Sequence, residues 1–258
     1  MLAVVALHVV PPAVFALVHG AIFYRVRGIV AFIAICLIVG TVFENLGVRT
    51  GFPYGHYYFT NLMGPKLSVV PVFLALAYVG MGYLSWTLAC VILTNPRRPL
   101  SGVLMFTLPL AAAFIMVAWD LAMDPIWSTV LHAWIWTRGG SYFGVPLSNF
   151  LGWFLTVYII YQLFALYLRG RAINSRPLPS GHWHMAVLFY AVSAGGNLLL
   201  AIPRHKTSMV ADATGTQWNV GGITAACALV SIFMMGAFAF LAWARLAGRN
   251  ATSRESQA

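Results

Sequence analysis

Apolar stretches of about twenty residues, separated by short runs rich in Gly, Pro, Arg and aromatic residues, fill most of the 258-residue chain. A stretch of that length crosses a bilayer as a helix, because a helix satisfies its own backbone hydrogen bonds where no water can. The pattern predicts helices near 3–24, 28–46, 67–93, 100–121, 146–168, 183–202 and 218–246. "YRVRG", "TNPRRP" and "RGRAINSRPLPSG" break the apolar runs as loops. The expected fold class is all-α, a polytopic integral membrane protein of seven transmembrane helices, with residues 1–250 as one transmembrane domain and 251–258 as a short polar tail. The N-terminus is apolar from the start, with no basic region before it and no clear cleavage site, so it is read as a retained helix and not a signal peptide.

Composition agrees. Hydrophobic residues make up 61% of the chain and charged residues 8%, where soluble domains carry roughly a quarter charged residues. The formal charge of +10 comes from 15 Lys and Arg against 5 acids. Those basic residues sit in short loops beside apolar segments, so they read as topology signals and headgroup contacts, and nucleic acid is not an expected partner. With the N-terminus outside and the C-terminus inside, the inner set is Arg25, Arg27, Arg97, Arg98, Arg169, Arg171, Arg176, Arg245, Arg249 and Arg254. The outer set is Arg49, Lys66, Arg138, Arg204 and Lys206. The bias places the chain as a multi-pass protein of the cell inner (cytoplasmic) membrane in that orientation. Cys36, Cys90 and Cys227 fall inside apolar runs and share no ligand spacing, so neither a disulfide framework nor a metal site is expected.

The acids are few: Glu44, Asp120, Asp124, Asp212 and Glu255. All except Glu255 lie in or beside the loops 47–66, 121–145 and 203–217, which this topology puts on the outer side, so a site built from them opens to one face. An ionised Asp at the centre of a membrane helix costs about 2.5 to 3.5 kcal/mol on insertion scales, which makes such acids functional candidates. The structural alternative for Glu44 and Asp120, at helix ends within reach of water, is capping a loop or pairing with Arg49 or Arg138. Asp120 and Asp124 share a face if the helix continues past them, and two carboxyls that close in a poorly solvated site resist joint ionisation. Pro125 biases Asp124 away from helix, so a turn is expected there and would splay the pair. A weak repeat links the two acidic regions: Val70-Pro71 follows Glu44, and Val145-Pro146 follows Asp120, at nearly equal spacing. Ordinary punctuation at helix starts would place some of these prolines as well.

The same loops are strongly aromatic. "GFPYGHYYF" carries Phe52, Tyr54, Tyr57, Tyr58 and Phe59, and "DPIWSTVLHAWIWTRGGSYFG" carries Trp127, Trp134, Trp136, Tyr142 and Phe143. An interfacial aromatic belt explains them singly. Beside acids, they are also what a site needs to hold a carbocation. Trp119, Asn45, Asn149 and His132 complete the candidate set. A retinal Schiff base is excluded because the lysines, Lys66 and Lys206, lie in loops. Histidine-rich di-iron chemistry is excluded because His182 and His184 form the one close pair, and a diphosphate site because there is one Asp cluster and not two. No nucleotide motif is present.

"ENLGVRTGFPYGHYYFTNLMGPKLSVVP" and "DLAMDPIWSTVLHAWIWTRGGSYFGVPLSNFLGW" resemble the carotenoid biosynthesis proteins that include the carotenoid 1',2'-hydratases and bisanhydrobacterioruberin hydratase. The resemblance runs from about residue 40 to 155. It implies hydration of the terminal double bond of an acyclic, or psi, carotenoid end group to a tertiary alcohol. It makes Glu44, Asp120 and Asp124 the catalytic candidates. Tyr54, Tyr57, Tyr58, Trp119, Trp127, Trp136, Tyr142, Phe143, Asn45 and Asn149 are the candidates for substrate contact. Such a reaction needs a protonated carboxyl, aromatic faces for a tertiary cation and a carboxylate to orient water, with no cofactor. Asp124 or Asp120 is the expected acid and Glu44 the expected base, with the reverse open. The expected partners are a lipophilic carotenoid and the bilayer, with room for association with other carotenoid enzymes. Two rivals use the same acids: a non-catalytic carotenoid-binding or transport protein, and a carotenoid cyclase or isomerase.

Overall fold

The computed structural model describes residues 2–94, 100–169, 178–200 and 207–255. Helix α1 (Leu2–Thr50) contains a break at Arg25, whose φ of 59° and ψ of 170° are not helical. A Cβ on Gly20 would lie 2.5 Å from Ile29 Cδ1, nine residues on, so the two limbs fold back on each other as a hairpin. Both ends of α1 therefore reach the same face of the molecule.

Helix α2 (Val72–Leu93) is buried without interruption from Ala77 to Val91. Its sequence is apolar all round and has no polar stripe to offer solvent, which is the pattern of a helix surrounded by others. It packs against α1 and α3 (Leu104–Pro125), and α4 (Leu147–Leu168) packs against α3 and α1. Helices α5 (Ser180–Leu200), α6 (Val220–Val230) and α7 (Gly236–Glu255) close the other side, with a π turn over Ser231–Met235 joining α6 to α7. Outward faces carry large apolar side chains one turn apart, such as Phe106, Leu110 and Phe114 on α3, and Leu147, Leu151 and Leu155 on α4. Five described segments are long and apolar enough to cross a membrane: Leu2–Thr50, Val72–Leu93, Leu104–Val130, Leu147–Leu168 and Val220–Arg249. Cys36, Cys90 and Cys227 are buried free thiols.

The connecting segments are more ordered than loop composition suggests. Strand β1 (Tyr57–Phe59) pairs antiparallel with β4 (Trp134–Trp136), joining the two aromatic loops, with Tyr57 opposite Trp136 and Phe59 opposite Trp134. Shorter pairs link β2 (Lys66–Leu67) to β3 (Val70–Pro71), and β5 (Met209–Ala211) to β6 (Gln217–Asn219). Aromatic residues favour extended backbone, and pairing satisfies peptide groups that a buried irregular loop would strand.

Several boundaries depart from expectation. Helix α3 runs through Asp124 to Pro125 and continues as a π turn, Ile126–Val130, so the chain does not turn before Pro125. Pro125 has no N–H for the Leu121 carbonyl, and the Tyr142 hydroxyl donates to that carbonyl instead, at 3.2 Å. Helix α2 starts at Val72, after the β2–β3 pair. Arg97, Arg98, Arg171, Arg176, Arg204 and Lys206 from the orientation count, and the end of the expected helix 183–202, lie outside the described residues.

Candidate active site

Three of the five acids converge between α1, α3 and α4. Glu44 is 3% exposed, and Asp120 and Asp124 are each 1% exposed, so these carboxyls are not helix-end groups open to headgroups. Their partners are neutral donors. Arg49 instead donates to Ser68 Oγ at 3.4 Å.

Asp120 and Asp124 stand one helical turn apart and are joined through α4. The Asn149 Nδ2 amide donates to Asp120 Oδ2 at 3.1 Å and to Asp124 Oδ2 at 2.5 Å. Asp124 Oδ1 accepts from the Trp134 indole at 3.0 Å, which ties the carboxyl to β4. The Ser128 hydroxyl donates back to the Asp124 carbonyl at 2.8 Å, within the π turn. A π turn re-aims the residues around it and is frequent at functional sites.

Glu44 is held from two sides. Tyr57 of β1 donates to Oε2 at 2.5 Å, and Tyr78 of α2 donates to Oε1 at 2.7 Å. The Tyr54 hydroxyl lies 3.2 Å from that of Tyr78 and 2.8 Å from Thr156 Oγ1, which extends the chain of hydroxyls to α4. The Tyr54 ring fits because two glycines give it room: a Cβ on Gly47 would lie 2.6 Å from it, and one on Gly152 would lie 2.7 Å from it. Burial first, and then the nearby Glu44 carboxyl, push the Tyr54 and Tyr57 phenols well above the ordinary tyrosine value, so both stay hydrogen-bond donors.

Part of this network faces one cavity, whose empty space, counted together with its opening to solvent, is about 330 Å³. Glu44, Asp124, Asn149, Tyr54 and Tyr57 are on its wall, with Phe59, Trp134, Trp136 and Trp153 among the aromatic faces, whereas Asp120 stands behind Asn149. The cavity can present carboxyl groups to a ligand among π faces, which is an environment for an acid and a cation.

The sequence candidates divide accordingly. Trp119 and Trp127 line a neighbouring chamber. Tyr58, at the middle of β1, points outward and is 50% exposed. Asn45 donates to the Thr41 carbonyl and accepts from Ser68, away from the cavity. Tyr142 caps the Leu121 carbonyl, and Phe143 packs on Trp218, so neither is on the wall. His132 is exposed and sits with Asp212 at a separate outer pocket. Asp212 holds its own hairpin turn through Thr214, Thr216 and Trp218.

Leu74, Tyr78, Met123 and Trp153 join the site without being among the sequence candidates. Tyr78 follows Pro71 by seven residues and Trp153 follows Pro146 by seven, and the two rings stack at 4.7 Å and 11°. The repeated Val-Pro spacing, followed into the helices, is the sequence signal that points to them.

Over residues 3–211 the chain matches the family model described as carotenoid biosynthesis protein. It is 31% identical over 122 residues to the bisanhydrobacterioruberin hydratase of Haloarcula japonica, a match that covers 47% of this chain and 39% of that relative. No solved structure matches the chain. With the match running through both acidic regions and the loops that carry their aromatic partners, this protein belongs to the carotenoid biosynthesis protein family.

Proposed function

We propose that this protein is a carotenoid hydratase, adding water to the terminal C=C bond of an acyclic end group to give a tertiary alcohol. The observation that carries this reading is that Asp124 and Glu44 share one buried, aromatic-walled cavity. The Haloarcula japonica relative, named a hydratase, points the same way.

In this scheme Asp124 is the general acid. Two buried carboxyls on one amide nitrogen, with no cation among their hydrogen-bond partners in the described residues, are stable only if protons are shared between them. Asp124 delivers its proton to the less substituted alkene carbon, and the π bond supplies the electron pair. The positive charge that develops on the dimethyl carbon faces the rings of Trp134, Trp136, Tyr57 and Trp153. Water attacks that carbon, and its surplus proton passes to Glu44, directly or through the Tyr57 hydroxyl that Glu44 holds. Return of a proton to Asp124 closes the cycle, and the sum is alkene plus water giving alcohol. Asp120 is a positioning residue acting through Asn149.

A polyene dissolves in the bilayer while its attacking water does not, so a cavity beneath the ordered loops suits both. The wider reading is a single domain over 1–250 with seven spans in the cell inner membrane, the N-terminus outside and the C-terminus inside. Counting the α1 hairpin as two spans raises the five membrane-length segments to six, and the reading takes α5 as the seventh.

The test is expression in cells accumulating lycopene, with pigment mass read by liquid chromatography and mass spectrometry. A gain of one or two waters that Asp124→Asn removes supports the reading. Unchanged mass with abundant wild-type protein overturns it, and a rearranged pigment of equal mass would identify a cyclase or isomerase.

A further inference from the structure

A base in a buried site has to be satisfied both ionised and protonated, and the hydroxyls behind Glu44 can be counted for each state. Tyr78 has one proton, donated to Glu44 Oε1 at 2.7 Å, and Thr156 has one, donated to the Gly152 carbonyl at 2.8 Å. Tyr54 stands between them with one proton and two oxygens to receive it, the Tyr78 hydroxyl at 3.2 Å and Thr156 Oγ1 at 2.8 Å. All three residues are buried, so these hydroxyls depend on one another for partners. The titratable groups facing Glu44 among the described residues are Tyr54, Tyr57 of β1, Tyr78 of α2, and Asp120 and Asp124 of α3. None is a cation, and Thr156 and Asn149 of α4 do not titrate.

With Glu44 ionised, Tyr78 donates to it and Tyr54 can donate to either neighbour. With a proton on Oε1, Glu44 itself becomes a donor and needs an acceptor. The Tyr78 oxygen serves only if Tyr78 turns its own proton towards Tyr54, and Tyr54 then has one place left for its proton, Thr156 Oγ1. Thr156 goes on donating to Gly152, so every group is paired in both states, and the change needs hydroxyls to rotate but no heavy atom to move. Without the Thr156 oxygen the ionised state is still fully paired, whereas the protonated state strands a buried Tyr54 hydroxyl. Oε2 offers no second route, because among the described residues the Tyr57 hydroxyl has Glu44 as its one hydrogen-bond partner.

We propose that Thr156 is a positioning residue, acting through Tyr54 and Tyr78 to hold Glu44 in its protonated state. The use of that state rests on the hydratase reading. The water captured by the cation loses a proton: its O–H bond breaks, the electron pair stays on the alcohol oxygen, and the proton goes to Glu44 Oε1. The hydroxyl chain passes no proton on, but turns so that the base accepts one without leaving a buried group unpaired. Thr156 is not on the cavity wall and touches no reacting atom.

The experiment uses the full chain in lipid nanodiscs and infrared difference spectra from about pH 4 to about pH 10, a range that brackets ordinary and strongly perturbed carboxyls. The protonated-carboxyl band of Glu44 is the one that Glu44→Gln removes. Thr156→Val keeps the shape and loses the acceptor, and Thr156→Ser keeps the acceptor. Thr87→Val, which removes another buried threonine hydroxyl bonded to the carbonyl one turn back, is the control. At the pH where wild-type Glu44 is half protonated, Thr156→Val is expected to lower the ratio of protonated to ionised Glu44 roughly tenfold, as one stranded buried hydroxyl does. Thr156→Ser and Thr87→Val are expected to leave that ratio unmoved. Tyr54→Phe cuts the chain one step earlier and is expected to act as Thr156→Val does, which decides the matter if the valine variant does not fold. A ratio that neither variant moves overturns the proposal, as does a serine variant that behaves like valine, or a wild-type Glu44 that holds one state throughout. Turnover of lycopene, read from product mass, is expected to fall by a similar factor in Thr156→Val with KM unchanged. An unchanged kcat beside a shifted ratio overturns the role in turnover. A wild type that hydrates nothing removes the hydratase reading, and the infrared ratio still decides whether Thr156 holds protonated Glu44.

Discussion

Asn149 and Asp124 lie 2.5 Å apart, amide nitrogen to carboxyl oxygen, and the same nitrogen reaches Asp120. One neutral side chain from α4 thus fixes the separation of two carboxyls on α3. Replacing it with leucine keeps the volume and removes the bridge. Asn149→Leu is expected to lower turnover on the order of a hundredfold, as a misplacement of about 1 Å does, with the protein still folded in the membrane. Pigment mass at matched protein level checks this.

Asp124 and Asp120 are expected to separate in their consequences. Asp124→Asn removes the proposed proton donor and is expected to cost roughly 10²- to 10⁴-fold in rate. Asp120→Asn leaves the cavity wall intact and is expected to retain measurable hydration, because Asp120 is not on that wall. Equal loss in both variants would make the pair a single unit and remove the distinction drawn between them.

The Tyr57 phenol, raised by burial and then by Glu44, gives a signed pH dependence. A phenol whose folded value lies above its unfolded value of about 10 contributes stability that is complete below pH 10 and is lost as pH rises towards the folded value. Thermal unfolding in detergent is expected to show little pH dependence from Tyr57 between pH 7 and pH 9, and a fall in stability above about pH 10. Tyr57→Phe should reduce the steepness of that fall.

Gly152 and Gly195 make a matched pair. A Cβ at Gly152 meets Tyr54 Cδ1 at 2.7 Å and the Pro53 carbonyl oxygen at 2.9 Å, whereas nothing lies within 4 Å of one at Gly195. Gly152→Ala is expected to cost about 1 to 3 kcal/mol and to displace the Tyr54 hydroxyl. Gly195→Ala, within α5, is expected to be neutral or to stabilise by up to about 1 kcal/mol. Melting of the two variants in the same detergent checks both.

Tyr142 and Pro125 are expected to be coupled. Tyr142→Phe leaves the Leu121 carbonyl without its partner, at a cost of about 1 to 3 kcal/mol. Pro125→Ala restores an N–H that the same carbonyl can accept from. A double-mutant cycle should therefore show Tyr142→Phe costing less in the Pro125→Ala background.

Much of the site is legible in the amino-acid order. Five acids in so apolar a chain single themselves out, and Glu44, Asp120 and Asp124 do lie within one cluster. The turn expected at Pro125 does not form, because a general bias against helix before proline gives way to a local remedy, the Tyr142 hydroxyl on the Leu121 carbonyl. Tyr58 and Asn45 look like their neighbours in sequence, and only the pairing of β1 with β4 sets Tyr58 apart, since alternation in a strand decides which aromatic faces in. Tyr78 and Trp153 lie hidden in helices where nearly every residue is apolar or aromatic.

Length and hydropathy determine, from the sequence alone, that this chain forms membrane-length helices, because backbone hydrogen bonding in an apolar medium depends on residues near each other in the chain. The scarcity of acids likewise marks where chemistry is worth seeking. Which acids meet, and what holds them, is decided by tertiary structure. Asn149 bridging Asp120 and Asp124, Tyr57 and Tyr78 grasping Glu44, and β1 pairing with β4 all join segments far apart in sequence. Those contacts depend on how helices pack and where loops cross, and no local pattern encodes a distance between distant residues.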